Sequence, residues 1–201
     1  WHAGEARRQS WPTAKGFQHW FGFLNQWELA GEEREGQWQK PTYLDPFLRV
    51  DGGPQKKYAG HLTDILTQHS VEKIRQLNQQ EQPWFLYHAF LAPHEPIQPH
   101  ARFASQFPAT KEGEYLALLA QLDDAVGQLL AAVGDDSNTL IVFVSDNGGT
   151  NNRRNNNFPF HGRKDQTFEG AYRTPLVMLW PAVLESGLQL NDVVMNTDIF
   201  P

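Results

Sequence analysis

The stretch TLIVFVSDNGG (139–149) drives a run of apolar, largely β-branched residues straight into an acid, an amide and two glycines. A carboxylate beside an amide carbonyl offers hard oxygen donors, the ligands that calcium or magnesium takes in preference to soft metals. Asp146 and Asn147 are therefore candidate ligands of a divalent cation, and Gly148 and Gly149 are expected to let the backbone turn sharply and approach that ligand. A simple turn with a cap is the competing reading of the same four residues. A second junction of this kind lies upstream, where WFLYHAF (84–90) runs into His94 between Pro93 and Pro96. An imidazole on such a loop can bind an anion or carry a proton.

Groups so far apart in the chain need a scaffold that brings them to one place. WFLYHAF and TLIVFVS are apolar throughout and predict strands covered on both faces, and PLVMLW (175–180) predicts a third strand. Tyr115, Leu118, Leu119, Leu122, Ala125, Val126, Leu129, Leu130 and Val133 recur at three and four, which predicts an amphipathic helix ending at Gly134. Asp123 and Asp124 fall on its solvated face. Leu66, Val71, Ile74 and Leu77 predict a second helix with Thr67 as N-cap and an end near Gln80, and NTDIF predicts a helix start capped by Thr197 or Asp198. Strands alternating with helices imply an α/β fold with a largely parallel central sheet between helical layers. Ligands of such sheets bind beyond the carboxyl ends of the strands, where both junctions fall. Residues 1–57 read as loops and short elements, with a hairpin at LRVDGGPQKK and with tryptophans filling what regular elements leave open. His88, inside an apolar strand, reads as a core histidine, and NNRRNNN reads as a solvated loop.

Composition removes several classes of function. The chain has 201 residues, 40% of them hydrophobic, which is enough for the core of one domain. Its formal charge of -6 argues against nucleic acid or an anionic membrane as partner. The absence of Cys excludes disulfides, thiolate zinc sites and a cysteine nucleophile within these residues. No apolar run approaches the length of a membrane span, and no signal pattern precedes the first elements. The expectation is an internal piece, 1–201, of a single catalytic domain.

Seven pieces, WHAGE, GFQHWFGF, HLTDILT, WFLYHAFLAPHEP, LDDAVGQLLAAVGDDSNTLIVFVSDNGG, GRKDQTFEGAYRTP and TDIFP, occur in the order and spacing of the type I, arylsulfatase-like sulfatases of the alkaline phosphatase superfamily. The chain resembles that family over nearly its whole length. The resemblance implies an alkaline-phosphatase-like large domain and the hydrolysis of a sulfate monoester, carried by a sulfated small molecule or carbohydrate. It implies Asp146 and Asn147 as two metal ligands, usually for calcium, with magnesium as the alternative. It implies catalytic roles for His2, His94 and Lys164: His94 and Lys164 bind the sulfate ester, and His2 contacts the nucleophile. His161 shares the Lys164 loop and is a further candidate for substrate contact.

The family nucleophile is a formylglycine made from Cys or Ser in a motif with Pro and Arg. It is expected outside this chain, because there is no Cys and SWPTAK carries Ala14 where the arginine should stand. The paired aspartates that complete the family's metal site are also absent, so the piece by itself should be inactive. Export to a periplasm or beyond is what the family implies. A phosphatase or phosphonate monoester hydrolase of the same superfamily, or a noncatalytic binding protein that keeps the fold, is the alternative.

Overall fold

A computed structural model describes residues 1, 4–31, 40–150 and 157–199. The chain forms two units, Trp1–Gly134 and Asp135–Pro201.

The first unit is built on two packed helices, α1 (Leu62–Leu77) and α3 (Lys111–Val133), with a single turn of helix, α2 (Ala101–Ala104), against α3. Helix α1 starts earlier than the expected Thr67. His61 caps it in extended backbone, its Nδ1 accepting from the Thr63 N–H at 3.2 Å, while Thr67 sits a turn inside and donates its hydroxyl to the Thr63 carbonyl at 2.7 Å. The buried face runs Leu62, Thr63, Leu66, Thr67, Ser70, Ile74, so small polar residues occupy inward positions that apolar periodicity passes over. Helix α3 begins at the Thr110 cap, whose hydroxyl accepts from the Gly113 N–H at 3.0 Å. Its first turn carries Glu112 and Glu114, acids favoured at a helix N-terminus but silent in an apolar repeat. It ends at Gly134 with φ of 75°, as expected.

By length and composition alone α3 could cross a bilayer, which corrects the expectation that no run reaches that length. Its inward face of Ala117, Leu118, Gln121 and Ala125 packs within the unit, and Asp123 and Asp124 stand in solvent as expected.

The core gathers Leu29, Tyr43, Leu48, Leu62, Leu66, Ala92 and Leu118. Apart from Ala92 it is therefore made of leucine and tyrosine; Trp1, Trp11 and Trp20 are half-buried and Trp27 is exposed, so none of these four described tryptophans belongs to it. A small antiparallel sheet of β1 (Phe21–Gly22), β2 (Phe47–Val50) and β3 (Lys56–Lys57) lies over it. The expected hairpin is β2–β3, turned by Asp51 and Gly52 at φ of 48° and 76°. Buried Gln121 ties the helices together: its Nε2 donates to His61 Nδ1 and to Asp64 Oδ1, both at 3.0 Å, and its Oε1 accepts from the His100 N–H at 2.9 Å. The imidazole of His61 donates from Nε2 to the Gln98 carbonyl at 2.7 Å, so no member of this buried network lacks a partner.

Residues 84–90 correct the first strand prediction. They are extended but belong to no ladder among the described residues, and Phe85 and Tyr87 are 63% and 59% exposed while their neighbours are half-buried. The covered side is the one that reaches α1, where the Ser70 hydroxyl meets His88 Nδ1 at 2.7 Å. His88 is half-buried with its ring turned inward, but its Nε2 has no partner among the described residues, and burial of the ring pushes its pKa down to about 4.

In the second unit β4 (Ile141–Val144) pairs with β5 (Leu176–Leu179) in antiparallel register, Ile141 opposite Leu179 and Val144 opposite Leu176. This pair does not run parallel as expected. Among the described residues the only helix in the connection is the single turn α4 (Glu169–Tyr172), whereas a parallel return needs a crossover of a dozen or more residues, usually helical. The Thr174 hydroxyl donates to the Ser145 carbonyl at 3.0 Å and the Ser145 N–H to the Pro175 carbonyl at 3.2 Å, so the chain doubles back along the same ladder. Neither strand is covered on both faces: Phe143 and Val177 are exposed. Further on, Asn196–Asp198 forms one 3-10 turn whose Asp198 carboxylate accepts from the Met195 N–H at 2.7 Å.

Candidate functional site

The tip of β4 carries the oxygen pair singled out from the sequence. Asp146 is exposed and Asn147 half-buried. The Ser145 hydroxyl donates to the Asn147 carbonyl at 3.1 Å, and Asn147 Nδ2 donates to the Gly148 carbonyl at 3.1 Å. With its nitrogen engaged, the Asn147 amide keeps Oδ1 as the atom available to a cation. Two such donors fit a hard cation as part of its shell of six to eight oxygens. Among the described residues no group of three or more His, Cys, Asp or Glu side chains could complete that shell.

Gly148 serves a purpose beyond the expected turn. A Cβ on Gly148 would lie 1.8 Å from the Gly170 carbonyl oxygen, and a Cβ on Gly170 would lie 2.4 Å from the Gly162 carbonyl oxygen. Backbone, not ligand, takes the space next to Gly148. The Gly148 N–H donates to the Ala171 carbonyl at 2.9 Å and the Gly170 N–H to the His161 carbonyl at 2.8 Å. DNGG, HGRK and FEGAY are thereby pressed together as three backbones in contact, which only residues lacking Cβ permit.

Lys164 is held to the same place by its main chain, its N–H donating to the Gly149 carbonyl at 3.1 Å. Asp165 then turns the chain at φ of 70°, a conformation Asp tolerates. The Lys164 side chain is half-buried and its ammonium has no ion pair among the described residues. His161 is exposed, with its ring edge-on to Phe168 at 4.5 Å. Asp146, Asn147, His161 and Lys164 therefore share one unit, and the Asp146–Asn147 and Lys164 loops are bonded to each other.

His94 belongs to the other unit. Its Nδ1 donates to the Glu95 carbonyl at 2.7 Å, which leaves Nε2 to face outward from an exposed ring. The loop is pinned from below, where Tyr43, wholly buried, donates its hydroxyl to the His94 carbonyl at 2.8 Å. Burial raises the Tyr43 pKa well above the usual phenol range, so it stays a donor. His2 and residues 151–156 lie outside the described residues.

Sequence reading missed two supports, Tyr43 under His94 and Asn157 between the loops of the second unit. Neither has a local signature, since Tyr43 is 51 residues from its partner and Asn157 ends a run of identical amides.

The described residues thus bring an oxygen pair at the tip of β4 together with the backbone of the lysine loop. The chain belongs to the sulfatase family, whose model it matches over residues 1–201, and with it shares the alkaline-phosphatase-like α/β fold. That family implies a metal ion and a formylglycine in general. The chain is 29% identical to the N-acetylgalactosamine-6-sulfatase of Mus musculus over 212 aligned residues, covering 100% of this chain and 40% of that protein. It is 31% identical to a sulfatase of Formosa agariphila, covering 78% of this chain and 31% of that one. Among solved structures, Ps i-CgsB in complex with k-i-k-neocarrahexaose superposes with a TM-score of 0.76 at 30% identity, covering 90% of this chain and 43% of that one. The chain thus spans about 40% of the length of the curated relatives it matches from end to end.

Proposed function

We propose that the intact protein hydrolyses a sulfate monoester on a carbohydrate, with calcium held in part by Asp146 and Asn147. The observation that supports this reading is the bond from the Lys164 N–H to the Gly149 carbonyl, which ties the backbone of the Lys164 loop to the loop that carries Asp146 and Asn147. Calcium in this position would offset negative charge on the nonbridging sulfate oxygens, and a formylglycine outside these residues would supply the attacking hydroxyl. Lys164 binds the sulfate group, and protonated Lys164 or His94 gives a proton to the ester oxygen as its bond to sulfur breaks. His2 takes the role that the family resemblance gives it, accepting a proton at the nucleophile. His161 contacts the substrate from the Lys164 loop. The carbohydrate class is supported by the relatives' names and by the oligosaccharide in the Ps i-CgsB structure. Export from the cytosol belongs to the same proposal, supported by family membership, and fractionation of the source cells checks it.

The test is sulfate release by the intact protein from an aryl sulfate, before and after chelation and with calcium restored. Activity should vanish with the metal and return with calcium, and Asp146→Ala should abolish it while leaving the circular dichroism spectrum in place. A fully active Asp146→Ala enzyme would refute the ligand assignment. Lys164→Ala should chiefly raise KM for the sulfate ester; wild-type kinetics there would break the assignment of the loop.

A further inference from the structure

The loop after β4 and the loop that carries Lys164 meet through one side chain. Asn157 Oδ1 accepts from the Gly149 N–H at 2.9 Å, and Asn157 Nδ2 donates to the Gly149 carbonyl at 3.2 Å and to the Gly162 carbonyl at 2.9 Å. Gly149 lies two residues beyond Asn147, and Gly162 lies two residues before Lys164. The Lys164 N–H donates to the same Gly149 carbonyl, so this oxygen accepts from both the Asn157 amide and the Lys164 backbone. A further bond, from the Phe160 N–H to the Asn157 carbonyl at 2.8 Å, fixes the turn that presents the amide. Both N–H donors of the side chain and one of the two lone pairs of its oxygen are used. The orientation is dictated by the partners, because a flipped amide would set its nitrogen against an N–H and its oxygen against two carbonyls.

We propose that Asn157 is a positioning residue that holds the Lys164 ammonium in register with the Asp146–Asn147 cation site, an inference that rests on the proposed sulfatase function. No other side chain type of this size does the same. Asp has the shape but would present oxygen to two carbonyls, and Ala removes the Asn157 bond from the Gly149 N–H and the Gly162 carbonyl and leaves the Gly149 carbonyl with the Lys164 N–H alone. Neither residue alters the glycine contacts that dock α4, so the second unit keeps its other ties when Asn157 is replaced.

The experiment uses the intact protein with Asn157→Ala and Asn157→Asp, each alone and combined with Lys164→Ala. Hydrogen exchange followed by mass spectrometry reads the Gly149 and Lys164 amides, and kinetics with a generic aryl sulfate read the reaction. The expected result is faster exchange at both amides by about tenfold, in line with the loss of a hydrogen bond or two. The expected loss in kcat/KM is about a hundredfold, the scale of a misplacement of about 1 Å at a reacting centre. On the Lys164→Ala background the same replacement should cost less than about twofold, because the residue acts through that lysine.

Unchanged exchange in both variants, full activity in Asn157→Asp, or losses that multiply with that of Lys164→Ala would each overturn the proposal. Faster exchange at both amides in a protein that releases no sulfate even as wild type would support the clamp and overturn the sulfatase reading instead.

Discussion

Gly148→Ala puts one methyl group where the Gly170 carbonyl oxygen already lies. The contact of 1.8 Å must open to the 3.4 Å at which ordinary packing begins, and both sides are backbone, so no rotamer can relieve it. Forcing extra volume into such a contact costs about 1–3 kcal/mol. The bond from the Gly148 N–H to the Ala171 carbonyl stretches with it, adding about 0.5–1.5 kcal/mol. The second unit should therefore lose about 1.5–4.5 kcal/mol. Gly127→Ala is the matched control. It lies in α3 with nothing within 4 Å of its Cβ position, and alanine there should stabilise by roughly 0.5–1 kcal/mol. Urea unfolding of the intact protein reports the sum, and hydrogen exchange at Gly148 and Gly170 localises it. If Gly148→Ala keeps wild-type exchange at those amides while Gly127→Ala gains stability, the three-backbone contact does not exist.

Two further outcomes follow from the first unit. His88 is neutral in the fold, with a pKa lowered from 6.5 to about 4 chiefly by burial, so the unfolded chain takes up its proton first. Stability should fall as pH drops from about 6.5 to about 4, by about 3 kcal/mol from this residue, and His61 and His69, also lowered by burial, act in the same direction. Urea midpoints between pH 7 and pH 4 check this, and His88→Phe should flatten the profile; a slope unchanged by that variant would refute the assignment. Tyr43→Phe removes the donor beneath His94 and should cost about 1 kcal/mol while speeding exchange at the His94 amide, with no change there counting against the pin.

What was legible in the sequence is what local pattern controls. The periodic face and Gly134 stop of α3, the Asp-Gly turn between β2 and β3, and the strand at 141–144 follow from spacing and from residues with unusual backbone freedom. What was hidden depends on partners. Nothing in WFLYHAF says that it pairs with no strand among the described residues, and nothing in PLVMLW says in which direction it pairs, because a four-residue apolar run looks alike in parallel and antiparallel ladders. The start of α1 was missed because a histidine caps it and buried threonines line it. At the site, the residue types at the tip of β4 were readable, whereas the reason for its glycines was not: Gly148 is set by a carbonyl more than twenty residues away.

The most direct test of the central claim offers the intact protein a sulfate monoester and a phosphate monoester of the same alcohol, with calcium present, and quantifies the free anion by ion chromatography. The account predicts sulfate release, lost in Asp146→Ala and weakened in Lys164→Ala, with phosphate release far slower. Phosphate released at the higher rate, or sulfate release that survives Asp146→Ala undiminished, would contradict it.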